Sequence, residues 1–248
     1  MAKQNAGNAK NILVGASPLF ISNIDVTASG YTENAEPGSS AAGAYVSGDS
    51  YTKTLNDRTE LTTPSFYYRN VGFTNNGLQI TYNPTYDSVT VDQLLDTAKL
   101  FKSAMEVMIA TEMSEGTLEN VLVVFGQSDN PTETTISNTN TIIEDAGFET
   151  GTANTKKTLG LAAGALGIAP TERQLIAVGQ APTTTNGTNN KSTERVYYAR
   201  RVLSVQQSQF SLARSTPTTF PVTFRLLPTA MSGYEGQEYG KIIDRVLA

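Results

Sequence analysis

The sequence predicts a mainly β fold with a single helix and long polar loops. Three observations lead there. Several segments alternate apolar and polar residues with a period of two. Threonine fills about one position in seven, an excess that favours strands and turns. Only one stretch carries a helical stripe between plausible end signals. At 248 residues with 39% hydrophobic content, the chain can bury the core of one large domain. Charged residues make up only 17%, below the ~25% of typical domains, so neutral Thr, Ser, Asn and Gly must supply the polar surface.

The elements follow in order. Leu19-Phe-Ile is a short strand. Leu78, Ile80 and Tyr82 share one strand face, with Gln79, Thr81 and Asn83 on the other. Asn83-Pro84 reads as a turn into a second strand holding Val89 and Val91. Leu94 to Met113 is ambiguous. Leu94, Leu95, Ala98, Phe101, Met105 and Met108 fit a helical face, whereas Met105, Val107, Ile109, Thr111 and Met113 fit a strand. The helix spans about 114–126. Ser114 caps it, Glu115 suits its positive end, Gly126 ends it, and Leu118, Val121, Leu122 and Phe125 form its apolar stripe. Thr158 to Ile168 holds Gly160, Gly164 and Gly167, too many for a robust helix. Val196, Tyr198 and Val202 alternate with Tyr197, Ala199 and Leu203, a strand covered on both faces. Phe220, Val222, Phe224 and Leu226 make another face, and Ile242 to Leu247 a last short strand.

No tract looks like a linker, so residues 1–248 read as one domain. Its appendages are an N-terminal arm over 1–10, a long Gly/Ser/Thr/Ala-rich loop over 28–64, a Thr/Asn-rich insertion over 127–157 and a C-terminal segment over 239–248. A shorter polar tract runs from Ala181 to Thr193.

Composition excludes much chemistry. Cys, His and Trp are all absent. That removes disulfides, thiolate nucleophiles, imidazole bases, Ser–His–Asp triads and His- or Cys-ligated metals. No run approaches the ~18 apolar residues of a membrane span, so no membrane insertion is expected. Gly15, Ser17 and Pro18 interrupt the apolar run after Lys3 and Lys10, which argues against a signal peptide. The Asn186 and Asn190 glycosylation patterns are what a Thr/Asn-rich tract makes by chance.

Charge is unevenly placed. Ser103 to Thr155 holds nine acids and no base, whereas Lys156 to Arg225 holds nine bases against two acids, a net +7. Two solvated faces of one globule is the plain reading. A sharper one is that the two blocks meet between copies and fix their register. Nucleic-acid recognition is a poor third. The chain carries −5 overall, and Arg200 and Arg201 point to opposite faces of a regular strand.

Other motifs fail on chemistry. Gly236-Gln-Glu-Tyr-Gly240-Lys241-Ile242 puts its first glycine one residue late for a phosphate loop and Ile where the hydroxyl belongs. Glu235, Glu238 and Asp244 could form a carboxylate pair, but three acids in ten residues usually mark a solvated terminus. Tyrosines 67, 68, 82, 86, 197 and 198 read as cross-strand packing. No catalytic, cofactor or metal site emerges, and none is expected.

Three stretches resemble the major tail (tail tube) proteins of long-tailed bacteriophages. Asn11-Ile-Leu-Val-Gly-Ala-Ser-Pro-Leu-Phe-Ile looks like the family's first strand after a short arm. Asn76 to Gln93, continuing to Met113-Ser-Glu-Gly-Thr-Leu-Glu-Asn-Val-Leu, looks like its central strands and helix. Phe220-Pro-Val-Thr-Phe-Arg-Leu-Leu-Pro and Gln237-Glu-Tyr-Gly-Lys-Ile-Ile-Asp-Arg look like its final strands. Together they cover about half the chain in the expected order, while 28–64 and 127–157 have no counterpart. The resemblance implies a β-sandwich or barrel-like domain with one flanking helix, and favours strand for Lys99 to Met113. It implies hexameric rings stacked into a virion tail tube. The partners would be the chain itself, a tape measure protein in the lumen, a tail terminator and tail-tip or baseplate proteins. DNA would pass through without sequence recognition, in a tube assembled in the host cytoplasm. The competing readings are a head-decoration or adhesion domain and, more remotely, a carboxylate-only glycosidase. Inter-subunit contacts are expected at the termini and the long loop, with Lys3, Lys10, Tyr31, Tyr45, Tyr51, Arg58, Arg200, Arg201, Tyr239, Lys241 and Arg245 as candidates.

Overall fold

A computed structural model describes residues 17–22, 68–90, 96–127, 142–145, 147–148, 150–161, 171–182, 193–205, 208–212, 214–215, 217–230 and 233–246. Within them the fold is mainly β with one helix. The strands are β1 (Leu19–Ser22), β2 (Tyr68–Asn70), β3 (Thr74–Thr90), β4 (Thr97–Met113), β5 (Ile142–Glu144), β6 (Lys157–Leu159), β7 (Arg173–Gln180), β8 (Thr193–Ser204), β9 (Phe220–Leu226) and β10 (Gly240–Val246), with the helix α1 (Leu118–Val124) after β4. Eight strands form one sheet in the order β2-β1-β7-β8-β9-β4-β3, with β10 also on β8, and β5 pairs β6 separately. Every pairing is antiparallel.

The main core draws Leu19 and Ile21 of β1 and Leu175 and Ala177 of β7 together with Val107, Ile109 and Met113 of β4. Val222 and Phe224 of β9 and Leu122 to Val124 of α1 complete it. The alternation at 220–226 is as the sequence predicts, with Phe220, Val222, Phe224 and Leu226 buried. A second apolar cluster, Phe20, Ile176, Val178, Val196 and Tyr198, lies on the other face of β1, β7 and β8. The expectation that the strand at 196–203 is covered on both sides therefore holds.

The ambiguity at 94–113 resolves as strand, since β4 runs from Thr97 to Met113. The turn expected at Asn83-Pro84 does not form. β3 continues unbroken through it, with Pro84 opposite Met105. Proline cannot donate to a ladder, but β3 ends the sheet, so Pro84 loses nothing there.

The helix is shorter than 114–126 and starts differently. Thr117 is the N-cap, with its hydroxyl accepting from the Asn120 amide. Ser114 instead extends the ladder through its backbone N–H to the Phe73 carbonyl. Glu115 accepts from the Phe73 amide at 2.9 Å. Gly72 holds φ +82 there, and a Cβ on it would fall inside the Glu115 carboxyl. Phe125 is exposed rather than part of the buried stripe. Asn120 takes its place inside, bonding the Val71 and Glu115 carbonyls and accepting from Arg69 at 2.7 Å. The insertion at 127–157 is not all loop, since β5 and the first residue of β6 fall in it.

One irregularity places everything that follows. Leu175 pairs Ala199 and Arg173 pairs Val202, so β8 carries one extra residue between them. This β-bulge lets both Ala199 and Val202 join the main core, while neither arginine between them does. At the same point β9 hands over to β10 along β8. The Leu227 amide bonds the Arg201 carbonyl, and the Arg200 amide bonds the Tyr239 carbonyl.

Candidate interaction surface

The β3–β4 hairpin is far longer than the body that supports it. Each strand has 17 residues, or about 56 Å of extended chain. β9 covers β4 only from Met108 to Met113. Among the described residues, nothing pairs with β4 from Thr97 to Val107 except β3, and nothing pairs with the outer edge of β3. A two-stranded ribbon about 36 Å long thus overhangs, open at both edges.

The ribbon is not clothed for water. Following the register outward from the core, Ile80, Tyr82, Pro84 and Tyr86 share a face with Ile109, Val107, Met105, Lys102 and Leu100. A register shift between Thr85 and Tyr86 leaves Ser103 as the extra residue. Tyr82 is 60% exposed, Tyr86 58% and Leu100 64%. Phe101 and Val89, also exposed, lie on the opposite face. At side-chain areas of ~150–250 Å² for aromatics, these residues expose on the order of 600 Å² of apolar surface. Spread over both faces, that area is comparable to the largest single patch on a typical monomer.

Where the ribbon leaves the body, the sheet splits. β10 continues along β8 while β4 peels away with β3, leaving a V-shaped groove of about 630 Å³. Ile80, Tyr82, Met105, Val107 and Ile109 line one wall, with Tyr197, Tyr239 and Ile242 on the other. Segment 234–239 closes the apex, and the Tyr239 hydroxyl approaches the Met105 carbonyl at 3.5 Å. Gly240 starts β10 at φ +147, close enough to β8 that a Cβ would collide with the Tyr198 carbonyl. The outer edge of β10 has no described strand against it, and Ile242 there is 65% exposed.

Fixed charges hold this frame. The Arg195 guanidinium grips Asp244 across β8 and β10 at 2.5 and 2.6 Å. That hydrogen bond keeps the Asp244 carboxyl below its usual pKa and raises that of Arg195. The Gly236 amide donates to Glu238 at 2.8 Å and lowers that carboxyl too. Burial pushes Glu119 up, but the Lys157 hydrogen bond and charge outweigh it, so its pKa falls. Acidic and basic blocks expected to meet between copies meet in part within one chain, at Glu119–Lys157 (2.6 Å) and Glu106–Arg225 (3.8 Å).

The predicted contact residues are placed unevenly. Lys3, Lys10, Tyr31, Tyr45, Tyr51 and Arg58 lie outside the described residues, as do the arm at 1–10 and the loop at 28–64. Arg200 is fully buried, its guanidinium 3.8 Å over the Tyr234 ring and bonding the Gln237 carbonyl. Arg201 makes a two-pronged bond to the buried Glu172 at 2.6 and 2.8 Å. Both arginines hold the fold rather than offer a surface, and a nucleic-acid patch at this strand falls with them. Arg200 and Arg201 do not simply alternate faces, because the bulge interrupts the pleat. Tyr239 and Lys241 do line the groove. Arg245 sits in β10 opposite Glu194, with its side chain outside the description. Tyr82 and Tyr86, expected as cross-strand packing, are largely bare. The residues missed were Leu100, Phe101 and Ile242. The signal was partial: the sequence alternates only from Met105 to Met113, and the structure extends the strand back to Thr97, three times an ordinary strand.

Among the described residues no group of three acids could hold a metal ion. No described helix is long and apolar enough to cross a membrane. Compared with known proteins, the chain matches no family model and no curated protein sequence.

Proposed function

We propose that this chain is a structural virion protein of the tail-tube kind. Its copies join into hexameric rings, and the rings stack into a tube that DNA crosses during ejection. One observation carries the reading: a ribbon about 36 Å long that no other strand pairs on either edge among the described residues. Two-stranded ribbons are marginal in water by themselves. Open edges with apolar faces recruit further chains. A subunit that keeps such a ribbon is built to be completed by a neighbour.

The rest is compatible with that role. Six copies carry six times −5, or −30, which disfavours a wall that clings to phosphate. In this reading the chain is no enzyme and takes no cofactor. Residues 1–248 act as one unit, and the tape measure, tail terminator and tail-tip or baseplate proteins are its further partners. It is assembled in the host cytoplasm and resides in the virion.

Negative-stain microscopy of concentrated protein, with mass photometry, tests this. Rings or hollow tubes are the expected result. A discrete trimer without a channel would move the reading to a head-decoration or adhesion protein.

A further inference from the structure

We infer that the ribbon of one copy docks head-to-tail into the V-groove of the next, laying the outer edge of its β3 along the open edge of the neighbour's β10. This rests on the self-assembly reading above and names the surface on each partner.

The groove and the ribbon answer each other in size. An apolar cavity of ~150 Å³ holds one benzene, so about 630 Å³ has room for roughly four ring-sized groups. The ribbon's far end presents exposed apolar side chains, Tyr86 and Leu100 on one face and Phe101 and Val89 on the other. The apolar area the ribbon exposes, on the order of 600 Å², approaches the ~800 Å² that each partner gives to a standard interface. The ribbon's own chain cannot fill the groove, because residues 80–82 and 105–109 of that ribbon are its wall.

Edge chemistry favours β10 over β2 and β3 as the acceptor. The open edges among the described residues of the main sheet are those of β2, β3, β10 and the outer part of β4. β2 has three residues, too few for a ladder. Pairing β3 with a second β3 about a two-fold axis would bring Pro84 into the new ladder twice, each time without a donor, whereas pairing β3 with β10 brings it in once. β10 reads Gly-Lys-Ile-Ile-Asp-Arg-Val, β-branched and free of proline. An antiparallel register that sets Asp87 against Lys241 also sets Tyr86 against Ile242 on one face. Such a contact uses different surfaces on the two copies, so it propagates into a closed ring or an open helix rather than stopping at a dimer.

The chain has no cysteine, so engineered thiols report cleanly. Tyr86→Cys and Ile242→Cys are prepared as separate full-length variants, both at exposed positions. They are mixed under assembly conditions and oxidised. A disulfide dimer in the mixture, at least fivefold above either variant alone, is expected. The doubly substituted chain should then give a ladder of covalent multimers. Asp87→Cys with Lys241→Cys, directly opposite each other in the same register, is the second pair, should Tyr86→Cys fold poorly. Efficient dimers from Tyr86→Cys alone would overturn the inference in favour of a two-fold ribbon contact. Rings or tubes with no cross-link in either mixture would also overturn it, while leaving the self-assembly reading intact. Monomers with neither tubes nor cross-links at high concentration would sink both.

Discussion

Asp244 and Arg195 clasp β10 to β8 at a point where both side chains are partly solvated. An ion pair so exposed contributes about 0.2–1 kcal/mol. The Asp244 carboxyl is depressed when folded, so its contribution is present above the unfolded pKa of ~3.9 and lost as pH falls through the folded value. Asp244→Asn should therefore lower stability to urea modestly at pH 7 and less at an acid pH below the folded value. An equal loss at both pH values would assign the effect to packing instead. Glu172 is a different case, since it is buried and receives both prongs of Arg201. Glu172→Gln should cost about 2 kcal/mol, seen as a fall in Tm of about 4–8 °C. An unchanged Tm would refute a stabilising role. Neither pair was legible from sequence. Residue spacing put Arg200 and Arg201 on opposite faces, and only a bulge, which has no composition signal, keeps both off the main core.

At the scale of elements, the helix start makes a clean comparison. Thr117→Ala removes the hydroxyl that caps Asn120 and should cost about 1 kcal/mol. Ser114→Ala, at the cap position the sequence suggested, should change stability by less than 0.5 kcal/mol. The reverse order in thermal melts would restore the longer helix. The sequence misled here because Ser114 and Thr117 are both good caps, and tertiary contacts chose between them. Asn120 must lie inside to bond Val71 and Arg69, which starts the helix one turn late. The ribbon gives the second test. Amides of Thr81 to Val89 and Lys99 to Ala104 have one neighbouring strand at most among the described residues. They should exchange with solvent at least tenfold faster in the free subunit than those of β7 and β8. Protection of these segments on assembly is expected, and equal protection in the monomer would mean that the ribbon is already covered. The strand nature of 97–113 was half legible, since period two and period 3.6 fit it equally until β3 and β9 decide. Pro84 was misread because a turn and an edge strand both admit proline, and only the sheet order separates them.

For the whole molecule the question is what force would draw copies together. Complementary acidic and basic blocks are one candidate, and the sequence alone made it attractive. The fold weakens it, because the two blocks already meet inside the subunit at Glu119–Lys157 and Glu106–Arg225. The ribbon leaves large apolar side chains uncovered, and the −5 of each copy repels its neighbours. Salt separates these forces. At 1 M the Debye length is about 3 Å, so repulsion between subunits is screened and charge attraction is lost with it. Burial of Tyr82, Tyr86, Leu100 and Phe101 survives, and sulfate strengthens it. If the ribbon drives association, the concentration needed for assembly should fall as NaCl rises from 0.05 to about 1 M, and fall further with sulfate at equal ionic strength. Light scattering across that series reads it directly. A threshold that climbs with salt would mean that charge pairing outweighs the ribbon, and would return the contact to the long-range acidic and basic pattern.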